Sequence, residues 1–390
     1  MTASTTDRPG PRRILLVCHY YAPHIGGIEN VVQSEAERLV ARGHEVTVLT
    51  SGPRSGESVE NGVRVVRVAA WNGAEDRFGV PFPVFRPSIL AQALRWARWA
   101  DLVHVHDCFY LSSWSAGIGA LLARKPMVLS QHVALVDHPS ALVTAAQRFV
   151  YAVAGRALIR RARRVFVINE QVGRFVTGLG APAERLVVLS NGVDSDRFHP
   201  PVDAAERAEL RERYALPADR PLALFVGRLV PKKGIDIAAA AVTPEFDLVV
   251  VGSGDAAATA GRAGVHHLGA LQPDRVAEVF RACDVFVLPT TGEVFPLVVK
   301  EAMSSGLPVV TTDEADYAGL GVDRKGMALI PREAAAVREA VLGILAEPAV
   351  RERMSGYSLD YARVNFSWSE HLELLTAHYG AACGPGGGDR

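Results

Sequence analysis

The stretch Glu293-Val-Phe-Pro-Leu-Val-Val-Lys-Glu-Ala-Met-Ser-Ser-Gly-Leu-Pro-Val-Val310 decides the reading of this chain. A hydrophobic strand, Asp284-Val-Phe-Val-Leu-Pro289, and a short turn run into it, and a helix carrying a second acid, Glu301, opens within it. A helix that starts just beyond a buried strand aims its free backbone N–H groups at whatever lies in front. Glu293 in the loop and Glu301 in the helix, eight positions apart, can flank an anion bound there and accept hydrogen bonds from hydroxyls on either side. A diphosphate with a sugar at each end fits that arrangement. An ordinary strand–helix turn with two surface acids is the plainer reading of the same residues.

Working outward, 390 residues exceed one ordinary core and predict two domains. A hydrophobic share of 49% with 35 glycines and few aromatics suits an α/β protein with tight turns. The 42 basic and 42 acidic residues balance, which leaves no global electrostatic case for nucleic acid. Cys18, Cys108, Cys283 and Cys383 are far apart and form no metal spacing. They predict a reducing, cytoplasmic setting without a disulfide framework. No apolar h-region precedes the first strand, and no uninterrupted apolar run is long enough to span a bilayer. Residues 1 to 11 and the Gly-Pro-Gly-Gly-Gly tail at 384–388 read as disordered ends.

The first half alternates strands and helices. Arg13–Cys18 is nearly all apolar, as a buried parallel strand requires. A loop ending in Gly26-Gly27 follows, then a helix from about Ile28 to Ala41 with Ile28, Val31, Val32, Glu35 and Leu39 on one stripe, then the strand Glu45–Leu49. This βαβ opening lacks the G-x-G-x-x-G dinucleotide fingerprint. Strands at Val63–Val68, Leu102–His106 and Met127–Ser130 continue the pattern, with helices at Ser88–Trp99 and Ser112–Ala123. His132 lies just past a strand's carboxyl end, where open α/β sheets bind ligands. His104 and His106 alternate on one strand with Asp107 after them; metal ligation, an acceptor-site wall and plain packing all remain open. Residues 140 to 164 form a long helical stretch with five arginines in its last ten positions. With Leu142, Phe149, Val150 and Val153 on one face, it reads either as a membrane-surface helix or as a packed helix with a solvated basic end.

The second half begins with a short helix between about 201 and 220. The strand Leu222–Val226 delivers Gly227-Arg-Leu-Val-Pro-Lys-Lys-Gly234, in which Gly227 allows close backbone approach, Arg228 offers a planar fork to phosphate oxygens and Lys233 a point charge. Phe246–Gly254, His267–Leu271 and Pro273–Ala282 lead back to the opening stretch. Helices near 332–345 and 347–364 close the domain, followed by Phe366-Ser-Trp368 and a last helix to about Tyr379.

Glu293, Phe295, Leu297, Glu301-Ala302, Gly306 and Pro308-Val309 match the E-x7-E signature, and the chain resembles the retaining glycosyltransferases of the large GT4 family. Flanking motifs extend the likeness over nearly the whole chain: Gly26-Gly27, His132, Asn191-Gly-Val-Asp194, and Gly227-Arg228 with Lys233-Gly234. The family usually has glycine at the place of Pro296, whose ring removes one N–H donor, and often a small residue or proline at that of Val294. Phosphate binding then leans on the amides of Leu297 and Val298.

The resemblance implies a GT-B fold of two facing, Rossmann-like, doubly wound α/β domains. An acceptor-side domain would span 12–197, a nucleotide-sugar donor domain 198–365, and a closing helix, 366–380, would return to the first. Loops at strand carboxyl ends from both sheets would share one cleft. The implied reaction is retaining, metal-independent transfer of a hexosyl group from a UDP- or GDP-sugar to an acceptor hydroxyl, with no cofactor. His132, Arg228, Lys233 and Glu293 form the implied catalytic set. Gly26, Gly27, Gly227, Leu271, Phe295, Pro296, Leu297, Val298 and Glu301 join them around the donor, Glu301 on the ribose and Glu293 on the sugar. The acceptor is a soluble small molecule or natural product; the alternative is a lipid acceptor met at the cytoplasmic membrane face through 140–164. A catalytically silent sugar-nucleotide-binding partner is the reading from another class. Trp71, Phe78, Phe82, Phe85, Phe109 and Tyr110 are the candidate acceptor platform, or simply pack.

Overall fold

The computed structural model describes residues 12–384 apart from 25, 74–81, 136–139, 256, 258, 294, 315–316 and 318–319. The N-terminal eleven residues, most of the glycine tail, Phe78 and Val294 therefore lie outside the described residues. The chain divides into two compact units, Met1–Asn191 with Ser369–Arg390, and Gly192–Trp368. The first division falls inside the Asn191-Gly-Val-Asp194 turn, ahead of the position expected from the sequence.

In the first unit the chain runs β1 (Arg13–Val17), α1 (Gly27–Ala41), β2 (Glu45–Gly52), β3 (Gly56–Glu60), β4 (Val63–Trp71), β5 (Val84–Phe85), α2 (Ser88–Trp99), β6 (Leu102–His106), α3 (Leu111–Ala123) and β7 (Met127–Gln131). The helix α4 (Ala141–Arg161), β8 (Val165–Val167), α5 (Glu170–Gly178) and β9 (Leu186–Val188) complete it. The sheet order is β3-β4-β2-β1-β6-β7-β8-β9, with β5 on β4. β1 lies at the centre, parallel to β2 and β6. Its strand period of two explains why the whole run is apolar: Ile14 and Leu16 enter one core, Leu15 and Val17 the other. The polar strand β3 escapes a hydrophobic-pattern reading. It exists because Asn61 and Gly62, at φ 49° and 81°, turn it back antiparallel onto β4.

The second unit runs α6 (Ala204–Arg213), β10 (Leu222–Val226), α7 (Ile235–Ala240), β11 (Asp247–Val251), β12 (Val265–His267), α8 (Pro273–Ala282), β13 (Val285–Leu288), α9 (Leu297–Ser304), β14 (Val309–Thr312), β15 (Ala328–Ile330), α10 (Ala334–Ala346) and α11 (Pro348–Asn365). Its sheet order is β12-β11-β10-β13-β14-β15, parallel throughout. This is the doubly wound nucleotide-binding order, in which the direction of progression reverses between the first and fourth strands, here β10 and β13.

The helix α12 (Trp368–Cys383) carries the chain back to the first unit. Leu372, Leu375, Tyr379 and Ala382 pack into the core that holds Ile14, Leu16, Val128 and Phe166. Trp368 is a packing residue: its ring covers Gly192 so closely that a Cβ there would lie 2.5 Å from it. Cys18, Cys108 and Cys283 are buried free thiols and Cys383 is partly buried.

Candidate active site

In the second unit the sequence motifs converge at the switch point. The loop after β10 carries Gly227 to Gly234, and the loop after β13 carries Thr290 to Pro296. Gly234, at φ 74°, lets the two touch, since a Cβ there would stand 2.3 Å from the Pro289 carbonyl. The Thr291 amide donates to the Lys232 carbonyl at 3.1 Å, and Arg332 Nε donates to the Pro289 carbonyl at 3.0 Å. Thus zipped, the loops bring together residues sixty positions apart: Lys233 Nζ lies 2.5 Å from Glu293 Oε2. Lys232 Nζ is 3.6 Å from Oε1, and the Thr290 hydroxyl donates to Oε2 at 3.0 Å. Gly227 and Gly252, at φ 156° and 151°, cross at the ends of β10 and β11, where a Cβ on Gly252 would fall 1.8 Å from the Gly227 carbonyl. Arg228 is exposed on this turn.

Pro296 caps α9 and takes back the amides of Val299 at 2.9 Å and Lys300 at 3.4 Å. The amides of Leu297 and Val298 have no backbone acceptor among the described residues, so they are the donors that α9 presents. Phe295 sits at φ 47°, an uncommon left-handed position for a side-chain-bearing residue. Its ring stacks on Tyr361 and meets Tyr317 and Phe366 edgewise, and its amide donates to Tyr317 Oη at 3.3 Å. Phe295 therefore holds the loop's path. Leu271 packs half-buried against the core, in a loop whose Gly269 carbonyl accepts from Gly252.

The two signature acids meet opposite electrostatics. Burial works to raise the Glu293 carboxyl, but Lys233, with Lys232 and Thr290 behind it, outweighs burial and holds it below the usual range. Burial pushes Glu301 up to about 7, with the charge of Arg197 pulling the other way. Lys300, buried with its ammonium 5.0 Å from the Phe366 ring centroid, is lowered by burial to about 7.

In the first unit the reversal falls between β1 and β6. Gly26 caps α1 in an extended conformation, and a Cβ there would strike the Glu29 carboxylate at 2.2 Å. Nothing stands within 4 Å of a Cβ on Gly27. His132 follows β7 and is buried; its Nε2 lies 3.0 Å from His106 Nδ1, with the rings stacked. Burial, helped by His371, lowers His132 to about 4, so the ring is neutral at physiological pH. Much of the candidate acceptor platform packs: Phe82 sits on Phe109, Tyr110 stacks on His19, and Phe85 is buried, whereas Trp71 is exposed.

Glu35, His104 and His106 offer ligand atoms within 4.8 Å of one another. They do not fit a metal ion, because both ring nitrogens of His104 are already committed: Nδ1 to Tyr379 Oη at 2.6 Å and Nε2 to Ser130 Oγ at 2.8 Å. Glu35 was visible in the sequence only as one member of an apolar stripe. An acid at a core register was the signal for a buried polar network.

Residues 26–192 match the model of the glycosyl transferase 4-like domain, and residues 206–360 that of glycosyl transferases group 1. The D-inositol 3-phosphate glycosyltransferase of Xylanimonas cellulosilytica is 30% identical over 395 residues, covering 92% of each chain. The chain belongs to the GT4-like glycosyltransferases. Among solved structures, sucrose-phosphate synthase from Thermosynechococcus elongatus superposes with a TM-score of 0.71 at 22% identity, over 94% of this chain and 98% of that one. HepE of Anabaena, solved with UDP and glucose, gives 0.72 at 18%, over 94% and 99%. This GT4-like chain thus has the GT-B fold, with one family model on each unit, and its activity is that of a nucleotide-sugar-dependent glycosyltransferase.

Proposed function

We propose that this glycosyltransferase moves a hexosyl group from a UDP- or GDP-sugar to a hydroxyl of a soluble small molecule, with retention and without a metal. The observation that carries the reading is the junction of Lys233 and Glu293 at the switch point of the second unit, beside the donor amides of α9. Departure of the nucleotide diphosphate develops negative charge. Lys233, Arg228 and the Leu297 and Val298 amides meet that charge, which is the work a divalent cation does in other transferases. Incoming diphosphate competes with Glu293 for Lys233 and frees its carboxylate to accept from sugar hydroxyls, while Glu301 accepts from the ribose. His132 contacts the sugar as a neutral imidazole. A small, polar acceptor is supported by the relative that acts on D-inositol 3-phosphate.

The test is to incubate the protein in EDTA with UDP- and GDP-sugars and a panel of polyol and polyol-phosphate acceptors. Nucleotide release and product anomeric configuration are followed by NMR. A product with the donor's configuration is expected; an inverted product, or release that requires a divalent cation, contradicts the reading.

On α4 Leu142, Phe149 and Val153 are 80%, 69% and 57% exposed beside the exposed Arg148, Arg156, Arg160 and Arg161. That pattern suits a peripheral hold on an anionic membrane surface and a lipid-linked acceptor. Arg163, also exposed, donates to the Ala382 carbonyl of α12 at 2.5 Å.

A further inference from the structure

Glu35, 1% exposed, lies on α1 between histidines from two other elements, β6 and α12. His371 of α12 approaches it with Nε2 at 3.0 Å from Oε1, and the other ring nitrogen of His371, Nδ1, lies 2.8 Å from the Ser190 carbonyl. A carbonyl only accepts, so His371 carries a proton on Nδ1. His371 Nε2 and Glu35 Oε1 then share one further proton. Glu35 Oε2 lies 3.5 Å from His106 Nε2. Both atoms are sealed from solvent and have no hydrogen-bond partner among the described residues. Each is therefore the other's remaining partner, since His104, whose Nδ1 is 3.9 Å from Oε2, is held by Tyr379. Wherever the shared proton sits, Oε2 is an acceptor. His106 must then be protonated on Nε2, which leaves its Nδ1 a bare lone pair. His132 Nε2, 3.0 Å away, can only donate to it.

We propose that Glu35 is a positioning residue, which through His106 fixes His132 as the Nε2–H tautomer and presents its Nδ1 lone pair to the substrate hydroxyls. The order of donors runs from His132 through His106 to the carboxylate, which His371 of α12 holds in place. A ring's free nitrogen takes its character from the bond the other makes. In this arrangement the free Nδ1 of His132 accepts a hydrogen bond from the substrate and cannot give one. The proposal rests on the reading of His132 as a substrate contact, and its test separates the two.

Full-length protein labelled with nitrogen-15 in its histidines, assigned by His106→Gln and His132→Gln, gives the tautomers from ring nitrogen shifts. Expected are Nε2–H on His106 and His132, and a protonated Nδ1 on His371. Nδ1–H on His132 overturns the proposal. Glu35→Gln supplies the rescue. Its amide oxygen can face His106 while its NH2 donates to a neutral His371, so the tautomers hold and kcat stays within about threefold of the parent. Glu35→Leu removes the acceptor, and kcat falls at least tenfold with the donor KM within threefold. Equal activity of the leucine and glutamine variants overturns the relay. Thermal stabilisation by nucleotide sugars, measured on the same samples, reports on the function separately. If no donor binds, the role of His132 fails whatever its tautomer; an inverted tautomer with donor binding intact removes the relay alone.

Discussion

Glu293 and Glu301 belong to one signature, yet they respond to pH in opposite directions. Glu293 is held below its ordinary value by Lys233 against the pull of burial. Its contribution to stability is present above the unfolded carboxylate range and is lost as pH falls through the lowered native value. Glu301 is raised from 4.5 to about 7. Between those values the native state keeps a proton that the unfolded state has released, so this contribution falls as pH rises. Glu301→Gln should therefore gain in melting temperature relative to the parent between pH 5 and pH 8; an equal gap at both pH values would refute the assignment. In activity, Lys233→Ala should lower kcat about 10²–10³-fold, the usual cost of one charge-stabilising donor, whereas Lys232→Ala, 3.6 Å from the carboxylate, should cost far less. Steady-state kinetics in EDTA distinguish them. The residue types and the spacing of this site were legible in the sequence. Its pairing was not, because the contact between Lys233 and Glu293 depends on two loops meeting, which no local pattern encodes.

At the scale of elements, those loops meet because three glycines occupy positions a side chain cannot. Gly234→Ala forces a methyl group at φ 74° against the Pro289 carbonyl. It should cost more than about 2 kcal/mol by thermal or denaturant unfolding, and donor binding should weaken with it. Most strands and helices of both halves were predictable from apolar runs and helical stripes. β3 was not, being polar and dependent on the Asn61-Gly62 turn, nor was β15, only three residues long and half-buried. The helix α4 was legible as amphipathic, but a sequence cannot say which apolar face a fold leaves open. Replacing Leu142, Phe149 and Val153 together with serine should change stability by no more than about 0.5 kcal/mol, since all three are exposed. If α4 holds a membrane, the same change should abolish co-sedimentation with anionic vesicles. Unchanged sedimentation would remove the lipid-acceptor reading.

For the whole molecule, the order of motifs along the chain is what made the fold readable. A glycine loop after the first strand, a histidine after β7, the Asn-Gly-Val-Asp turn, the Gly-Arg…Lys-Gly turn and the paired acids succeed one another as two doubly wound sheets require. The return of the chain to the first unit was legible as a closing helix, but its energetic part was not. Leu375, fully buried among residues of β1 and β7, should cost about 2–5 kcal/mol as Leu375→Ala. The buried network of Glu35, His106 and His371 was invisible for the same reason as the Lys233 pair: its members come from α1, β6 and α12 and meet only in the folded chain. The proposed mechanism requires binding of a nucleotide diphosphate sugar without a metal. Its most direct test is melting temperature against UDP-, GDP-, ADP- and TDP-sugars with EDTA throughout. A ligand at a hundred times its dissociation constant adds about 2.7 kcal/mol to the folded state. At least one UDP- or GDP-sugar is expected to raise the melting temperature in EDTA, and Lys233→Ala to lose that shift; neither a divalent cation nor any other addition should be needed. A shift that appears only with a divalent cation, or none from any donor on a well-folded protein, would contradict the mechanism.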